Sequence, residues 1–76
     1  MRVWKLNLYD KYFGDIKKGL KTFEIRRNKR KFKIGDIIEF NNLKTKEKIR
    51  CKIKYINYSK KIYSDTDLVI MGLSKK

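Results

Sequence analysis

The longest alternating run of this sequence lies at Lys48–Asn57, and it constrains the fold more than any other segment. Successive side chains point to opposite sides of a β-strand. One side of the run is apolar and consists of Ile49, Cys51, Ile53 and Tyr55, whereas the other is cationic and consists of Lys48, Arg50, Lys52 and Lys54. The run therefore predicts a strand with one face on a core and a cationic face outside.

The first 20 residues predict a strand and then a helix. Val3–Leu8 alternates, and the side that we expect to be buried consists of Trp4, Leu6 and Leu8. Asp10 is a suitable N-cap for a helix that runs to about Lys18, and Gly19 stands where a C-cap glycine belongs. The residues at helical spacing are Tyr12, Phe13 and Ile16. This helix should pack one aromatic-rich face inward.

From Lys21 onwards the period of the pattern returns to two. The segment has an apolar side, Phe23 and Ile25, and a polar side, Thr22, Glu24 and Arg26. It predicts a strand with a polar face. Lys21 is two residues before Phe23, so strand alternation places both on the same side. This alternation is only weakly enforced at the start of a strand.

The rest of the chain predicts three more strands, counting the long run. A charged connection at Arg27–Lys31 leads to the turn dipeptide Gly35-Asp36 and to a strand at Ile37–Asn41. Asn42–Lys48 predicts a hairpin loop. After the long run we expect a loop or short helical turn at Tyr58–Thr66, a buried strand at Leu68–Leu73 and a frayed tail at Ser74–Lys76.

A chain of 76 residues forms one domain, over 1–76, with a small core. Five short strands and one helix cannot bury both faces of a flat sheet. We therefore expect an α+β fold that is mostly β: a curled sheet or small barrel of about five strands, with the helix after the first strand.

The charge balance is strongly basic. The chain has 22 Lys and Arg against 8 Asp and Glu, a formal net charge of +14. Self-repulsion of this size favours a polyanionic partner, and nucleic acid is the leading candidate because bound cations release the counterions of phosphates. Acidic proteins, anionic membranes and the coding bias of an AT-rich genome are the alternatives. Two observations argue against coding bias: the acidic residues are few compared with the basic ones, and arginines cluster at Arg26, Arg27 and Arg30.

Several classes of site are disfavoured by composition. Cys51 is the only cysteine and lies in an alternating run, so we expect a half-buried core side chain and no disulfide. The chain has no His, which removes the commonest general base and metal ligand. We expect no metal and no cofactor. No apolar run approaches the roughly 20 residues of a membrane helix, so we expect a cytoplasmic protein that does not bind membranes.

One segment carries a family resemblance. Residues 12–38 read YFGDIKKGLKTFEIRRNKRKFKIGDII. They contain Gly19-x-Lys21-Thr22-x-Glu24-x-Arg26 and then Phe32-x-x-Gly35-Asp36. The run closely resembles the ASCH family, a branch of the PUA-like superfamily of small β-barrels. It is most similar to short bacterial and phage proteins with the string KTFEIRxNxRxFxxGD, which Lys21–Asp36 fits without a gap. From Lys48 onwards the resemblance is limited to the succession of strands.

The resemblance implies a β-barrel with a cleft beside the helix that binds RNA or a modified base. One enzymatic branch looks like an amidohydrolase that removes acyl groups from a modified cytidine, through a Lys and a Thr on a G-x-K-T-x-T-x-R strand and a Glu from a later helix. Its Lys falls on Lys21, its Arg on Arg26, and its nucleophilic Thr on Glu24. Glu24 cannot perform hydroxyl acyl transfer in the same way, and a chain of 76 residues is too short to contain the long later helix that supplies the Glu of that branch.

The candidate nucleic-acid-binding residues are Lys21, Glu24, Arg26, Arg27, Lys29, Arg30, Lys31, Tyr9 and Tyr12. Glu24 and Arg26 form either a structural ion pair or a pair that reads a base and a phosphate. The segment Arg27–Lys31 is either a solubilising charge run or a phosphate-tracking loop. We expect Tyr9 and Tyr12 to be exposed for stacking, and Trp4 and Phe13 to pack in the core.

The leading hypothesis is thus a domain that binds RNA, or single-stranded nucleic acid generally, through a basic cleft. The alternative is a hydrolase of the ASCH type, acting on RNA or a modified nucleoside, with Lys21 and Glu24 as its acid–base pair. A third hypothesis is a protein-interaction module with an acidic partner. The sequence leaves the oligomeric state open.

Overall fold

The computed structural model describes residues 1–27, 29–60 and 67–75. The elements within these residues are β1 (Val3–Leu8), α1 (Asp10–Lys17), β2 (Phe23–Arg27), β3 (Ile37–Asn42), β4 (Lys48–Lys60) and β5 (Asp67–Lys75). The predicted class is confirmed: the fold is small and mostly β, with one helix after the first strand. In the described part of the chain, no helix combines the length and the apolar character needed to cross a membrane.

The strands form one mixed sheet in the order β1-β3-β4-β5-β2. β1 pairs with β3 in parallel, and the other neighbours are antiparallel. The sheet curls into a half-barrel, as expected for a short chain that must enclose its own core. β1 and β2 are therefore the two edge strands, and the curl brings them towards each other.

The core lies between the concave face of the sheet and α1. The helix contributes Phe13 and Ile16, which are buried one turn apart. The sheet contributes Leu6, Leu8, Ile38, Phe40, Cys51, Ile53, Val69, Met71 and Leu73. Trp4 is half-buried against this cluster, and its ring centroid lies 5.0 Å from that of Phe32. The predicted inward face of β1 and the core position of Phe13 are confirmed, and Cys51, which was predicted to be half-buried, is fully buried in the core.

A β-bulge in β4 changes which side chains face the core. The register with β5 shifts between Ile53 and Tyr55. Tyr55 was predicted on the buried face, and this is wrong: it is 57% exposed, whereas Ile56 packs against the core. An extra residue in one strand reverses the alternation beyond it, and the sequence run has no mark of this shift.

Several predicted element ends are also corrected. Asp10 is the first residue of α1 and not its N-cap, which is Tyr9. The Asp10 carboxylate accepts a hydrogen bond from Asn42 Nδ2 at 2.9 Å. β4 extends to Lys60 and β5 to Lys75, since each strand pairs with the other along these extensions. The predicted loop therefore loses residues 58–60, and its remainder, 61–66, lies outside the described residues.

Asp36 does more than form the predicted turn. Its buried carboxylate accepts hydrogen bonds from the backbone N–H of Arg2 at 3.1 Å, from Trp4 Nε1 at 2.9 Å and from the backbone N–H of Lys33 at 3.0 Å. Burial raises the pKa of this carboxyl, but the hydrogen bonds outweigh burial and hold its pKa below the usual value. Asp36 thus fixes the start of β1 beside the start of β3.

Candidate functional site

A cleft of about 520 Å³ opens where the edge strand β2 faces the end of β1 and the start of α1. Its lining residues are Asn7, Leu8, Tyr9, Tyr12, Lys21, Glu24, Ile25, Arg26, Arg27, Leu43 and Leu68. Six of the nine candidate binding residues are in this set: Tyr9, Tyr12, Lys21, Glu24, Arg26 and Arg27. A cleft therefore lies beside the start of α1.

The end of α1 places Lys21 at the cleft. Gly19 has a φ of +79°, a left-handed conformation that ends the helix as predicted. The backbone N–H groups of Leu20 and Lys21 both donate to the Asp15 carbonyl, at 2.9 and 3.1 Å. The chain therefore turns sharply, and Lys21 Nζ comes to lie 2.9 Å from Glu24 Oε1.

Glu24 is the centre of the polar cluster. Its side chain is 4% exposed, and its second oxygen, Oε2, accepts from Arg26 Nε at 2.6 Å. Each carboxylate oxygen thus binds one cation, which offsets the cost of burying the charge. The cluster of Lys21, Glu24 and Arg26 has one anion and two cations, so it presents a net positive charge to the cleft.

Arg26 also contacts the opposite wall. Its Nη2 donates to the backbone carbonyl of Asn7 at 2.8 Å. Asn7 lies on β1, which is the other edge of the sheet. The guanidinium therefore spans the cleft between the two edge strands, and its side chain keeps 27% exposure for a ligand.

The two tyrosines lie at the cleft mouth. Tyr9 is 70% exposed and Tyr12 is 45% exposed, as predicted. Lys21 Nζ lies 5.1 Å from the centroid of the Tyr12 ring, within cation–π range. The ring thereby helps to fix the ammonium, and both phenols remain open to a stacking partner.

β2 is oriented with its polar face inward. Glu24 is buried, whereas Phe23 and Ile25 are 46% and 48% exposed. Glu24 and Arg26 of the predicted polar face thus line the cleft, and Phe23 faces outward, while Ile25 is exposed at the strand edge and also borders the cleft. Lys21 precedes the strand, so parity does not decide its position: its ammonium contacts Glu24 at 2.9 Å and lies 5.7 Å from the Phe23 ring centroid.

The basic segment is divided between the cleft and the surface. Arg27 lines the cleft. Lys29, Arg30 and Lys31 are exposed and lie outside the cleft lining, while residue 28 is outside the described residues. The structure therefore does not bring the whole predicted set into one site.

Sequence reasoning missed the apolar and backbone parts of the cleft. Asn7 participates through its main-chain carbonyl, a group that every residue has and that no side-chain pattern reveals. Leu43 reaches the cleft because its N–H donates to the Leu8 carbonyl at 2.9 Å, a contact between distant segments. Neither feature has a local signal in the sequence.

Comparisons with known proteins support the fold and the family. None of the curated proteins matches the chain. A crystal structure of hypothetical protein PH0355 superposes with a TM-score of 0.74 at 21% identity, covering 100% of both chains, which is a likeness of fold. The model of the family described as a domain of unknown function, DUF3850, matches residues 3–73. Because this match covers nearly the whole chain, the protein belongs to the DUF3850 family.

Proposed function

We propose that this chain is an RNA-binding domain whose cleft takes an unstacked nucleotide. The single observation that carries the proposal is the cluster of Lys21, Glu24 and Arg26, which holds two cations in fixed positions inside a cleft with exposed tyrosines at its mouth. Cations beside aromatic rings are the combination that single-stranded nucleic acid recognition uses. The resemblance to the ASCH family supports the same proposal.

In this proposal the cluster residues have different roles. Both Glu24 oxygens already accept from cations, so Glu24 serves to position Lys21 and Arg26 and is not the main reader of a base amino group. The remaining N–H groups of Lys21 and Arg26 are donors, which suit phosphate oxygens or base carbonyls. Tyr9 and Tyr12 would stack on the base.

The exposed cations next to the cleft complete the proposed surface. Arg27 lines the cleft, and Lys29, Arg30 and Lys31 follow it along the chain. We assign these three exposed residues to phosphate contacts outside the cleft, which add affinity without reading sequence.

A salt titration tests the proposal. Binding of fluorescently labelled single-stranded and hairpin RNA is measured by anisotropy at several salt concentrations. We expect micromolar affinity that falls steeply with salt, and a loss of about tenfold or more in the double variant Lys21→Gln, Arg26→Gln. The control is Lys44→Gln, Lys46→Gln, which removes the same charge from the loop between β3 and β4. No binding at low salt, or equal losses in both variants, would overturn the cleft as the binding site.

The second candidate function is hydrolysis of RNA or of an acylated nucleoside. The observation in its favour is the 2.9 Å contact between Lys21 Nζ and Glu24 Oε1, which is close enough for proton transfer. Prolonged incubation with RNA and with N-acylated cytidine, followed by chromatography, tests this function. Product formation that disappears in Lys21→Ala would support it, and identical traces with the parent chain and the variant would exclude it.

A further inference from the structure

The convex face of the sheet carries an exposed apolar patch. On β2, β4 and β5 this patch consists of Phe23, Ile25, Tyr55, Ile70 and Gly72, which we term the outer aromatic face. Phe23 and Ile25 are 46% and 48% exposed and Tyr55 is 57% exposed, while Ile70 and Gly72 are half-buried. Contiguous exposed apolar side chains at a sheet edge commonly mark a binding surface.

The register brings two aromatic rings into one row. Phe23 pairs with Gly72, and Gly72 pairs with Tyr55, so the three residues share a face across three strands. The Cα atoms of Phe23 and Tyr55 are thus about 10 Å apart, two strand spacings. Gly72 has no side chain, and Tyr55 Cγ lies 3.9 Å from the position that a Cβ on Gly72 would occupy. The row therefore presents two rings beside bare backbone.

Cations surround this row. Lys54 Cγ also lies 3.9 Å from the position of a Gly72 Cβ, so the stem of this lysine crosses beside Tyr55. Arg27, which also borders the cleft at the edge of β2, is on the same side of the strand as Phe23 by alternation, and Lys52 pairs with Ser74 at the other end. All three cations are exposed. An occupant must therefore combine negative charge with flat apolar groups.

Single-stranded nucleic acid has both properties. Its bases offer π-faces to aromatic side chains on a sheet, and its phosphates meet the flanking Lys and Arg. A second copy of this chain is a poorer occupant, because two chains of formal charge +14 repel each other. An acidic protein would complement the positive charge of this face, but acidic proteins do not regularly present flat groups at the spacing of the two rings.

The outer aromatic face is continuous with the cleft. Lys21 Nζ lies 5.1 Å from the Tyr12 ring centroid and 5.7 Å from that of Phe23. Tyr12 lines the cleft, and Phe23 belongs to the outer aromatic face. One ammonium therefore stands between the aromatic rings of the two surfaces, across the edge formed by β2.

We infer that a bound RNA strand leaves the cleft over β2 and continues on the outer aromatic face, where its bases stack on Phe23 and Tyr55. This inference rests on the proposed function. It names a second binding surface, on the opposite side of the sheet from the cluster of Lys21, Glu24 and Arg26. Lys21 would contact the phosphate at the crossing.

The test compares short and long RNA on variants of the outer face. The probes are a uridine dinucleotide and an oligouridylate of about eight nucleotides, a length in the range of single-strand-binding modules. The variants are Phe23→Thr and Tyr55→Thr, which remove a ring but keep a residue that favours strands. The control is Tyr58→Thr, because Tyr58 is 59% exposed but pairs with Val69 on the concave face. Circular dichroism and thermal unfolding verify that each variant is folded.

We expect each outer-face variant to lower affinity for the long probe by about fivefold or more, since stacking of one base is lost. Affinity of the Tyr55→Thr variant for the dinucleotide should remain unchanged, because Tyr55 is on β4, two strands away from the cleft strand β2, and the Tyr58→Thr control should bind both probes like the parent chain. If the parent binds the long probe and the outer-face variants bind it equally well, the inference is wrong while the cleft proposal stands. If the parent binds neither probe, the proposed function and the inference fail together. If the outer-face variants weaken only the binding of poly-glutamate, the surface serves an acidic protein and the inference is wrong.

Discussion

The guanidinium of Arg26 donates to the backbone carbonyl of Asn7 at 2.8 Å, and this bond joins the two edge strands of the sheet. Glu24 holds the same guanidinium from the other side, with 2.6 Å between Arg26 Nε and Glu24 Oε2. The buried carboxylate therefore positions the residue that spans the cleft.

We expect Glu24→Gln to destabilise the fold by about 2 kcal/mol, because an amide cannot accept from both cations and leaves them facing each other. The partial exposure of Lys21 and Arg26 keeps the cost below that of a fully buried pair. Urea unfolding followed by Trp4 fluorescence measures the change. The matched control is Glu47→Gln, whose exposed ion pair with Lys17 should contribute less than about 1 kcal/mol. Equal effects of the two substitutions would contradict this role for Glu24.

Asp36 should make stability depend on pH at the acidic end. Burial raises the pKa of its carboxyl, but hydrogen bonds from Trp4, Arg2 and Lys33 lower it further, so the folded pKa lies below the usual 3.8. A lowered folded pKa contributes stability that is complete above the unfolded pKa and is lost as the pH falls through the folded pKa. The difference in unfolding free energy between the parent chain and Asp36→Asn should therefore be largest near neutral pH and shrink below pH 3.8.

Urea unfolding of both chains across this pH range checks the sign. The other carboxyl groups titrate in both chains, so their contributions cancel in the difference. A difference that grows as the pH falls would show that Asp36 is not stabilised as a carboxylate in the folded chain.

The strand pattern could be predicted from the sequence because it depends on local alternation. The inward face of β1 and the two-sided β4 follow directly from it up to Ile53. Beyond that residue the bulge places Tyr55 outside and Ile56 inside. The bulge is a feature of the pairing with β5, where Tyr55 lies opposite Gly72, so the local pattern could not reveal it.

The candidate site could be predicted in part for the same reason. Spacing along one strand placed Glu24 and Arg26 together, and the glycine turn suggested that Lys21 begins the same segment. The side of β2 that faces the core depends on tertiary contacts, however. The buried ion pairs of Glu24 and the exposure of Phe23 reverse the usual preference for apolar burial. No rule of local periodicity selects that outcome.

An exchange of two side chains tests the contact between α1 and the end of β3. Asn42 is 2% exposed and donates through Nδ2 to Asp10 at 2.9 Å, while its Oδ1 accepts from the N–H groups of Lys44 and Thr45. Asn42→Asp keeps the acceptor but turns the donor into a carboxylate opposite Asp10. We expect a loss of about 2 kcal/mol at neutral pH.

Adding Asp10→Asn to that variant should restore at least half of the lost stability, because the donor and acceptor are then exchanged. Thermal unfolding of the two single variants and of the double variant completes the cycle. Additive losses would mean that the two side chains do not interact, and that Asp10 acts at the helix N-terminus alone.

In the proposed RNA-binding function, the exposed segment beside the cleft should control how binding depends on salt. We expect the triple variant Lys29→Gln, Arg30→Gln, Lys31→Gln to flatten the slope of log K against log salt by about 0.7 for each phosphate contact that is lost. The preference among base sequences should be unchanged, because phosphate contacts do not read bases. The control is Lys44→Gln, Lys46→Gln, Lys48→Gln, which lowers the formal charge equally, from +14 by three units. If both triple variants flatten the slope to the same extent, the segment contributes only its share of the net charge, and the exposed phosphate track is not located there.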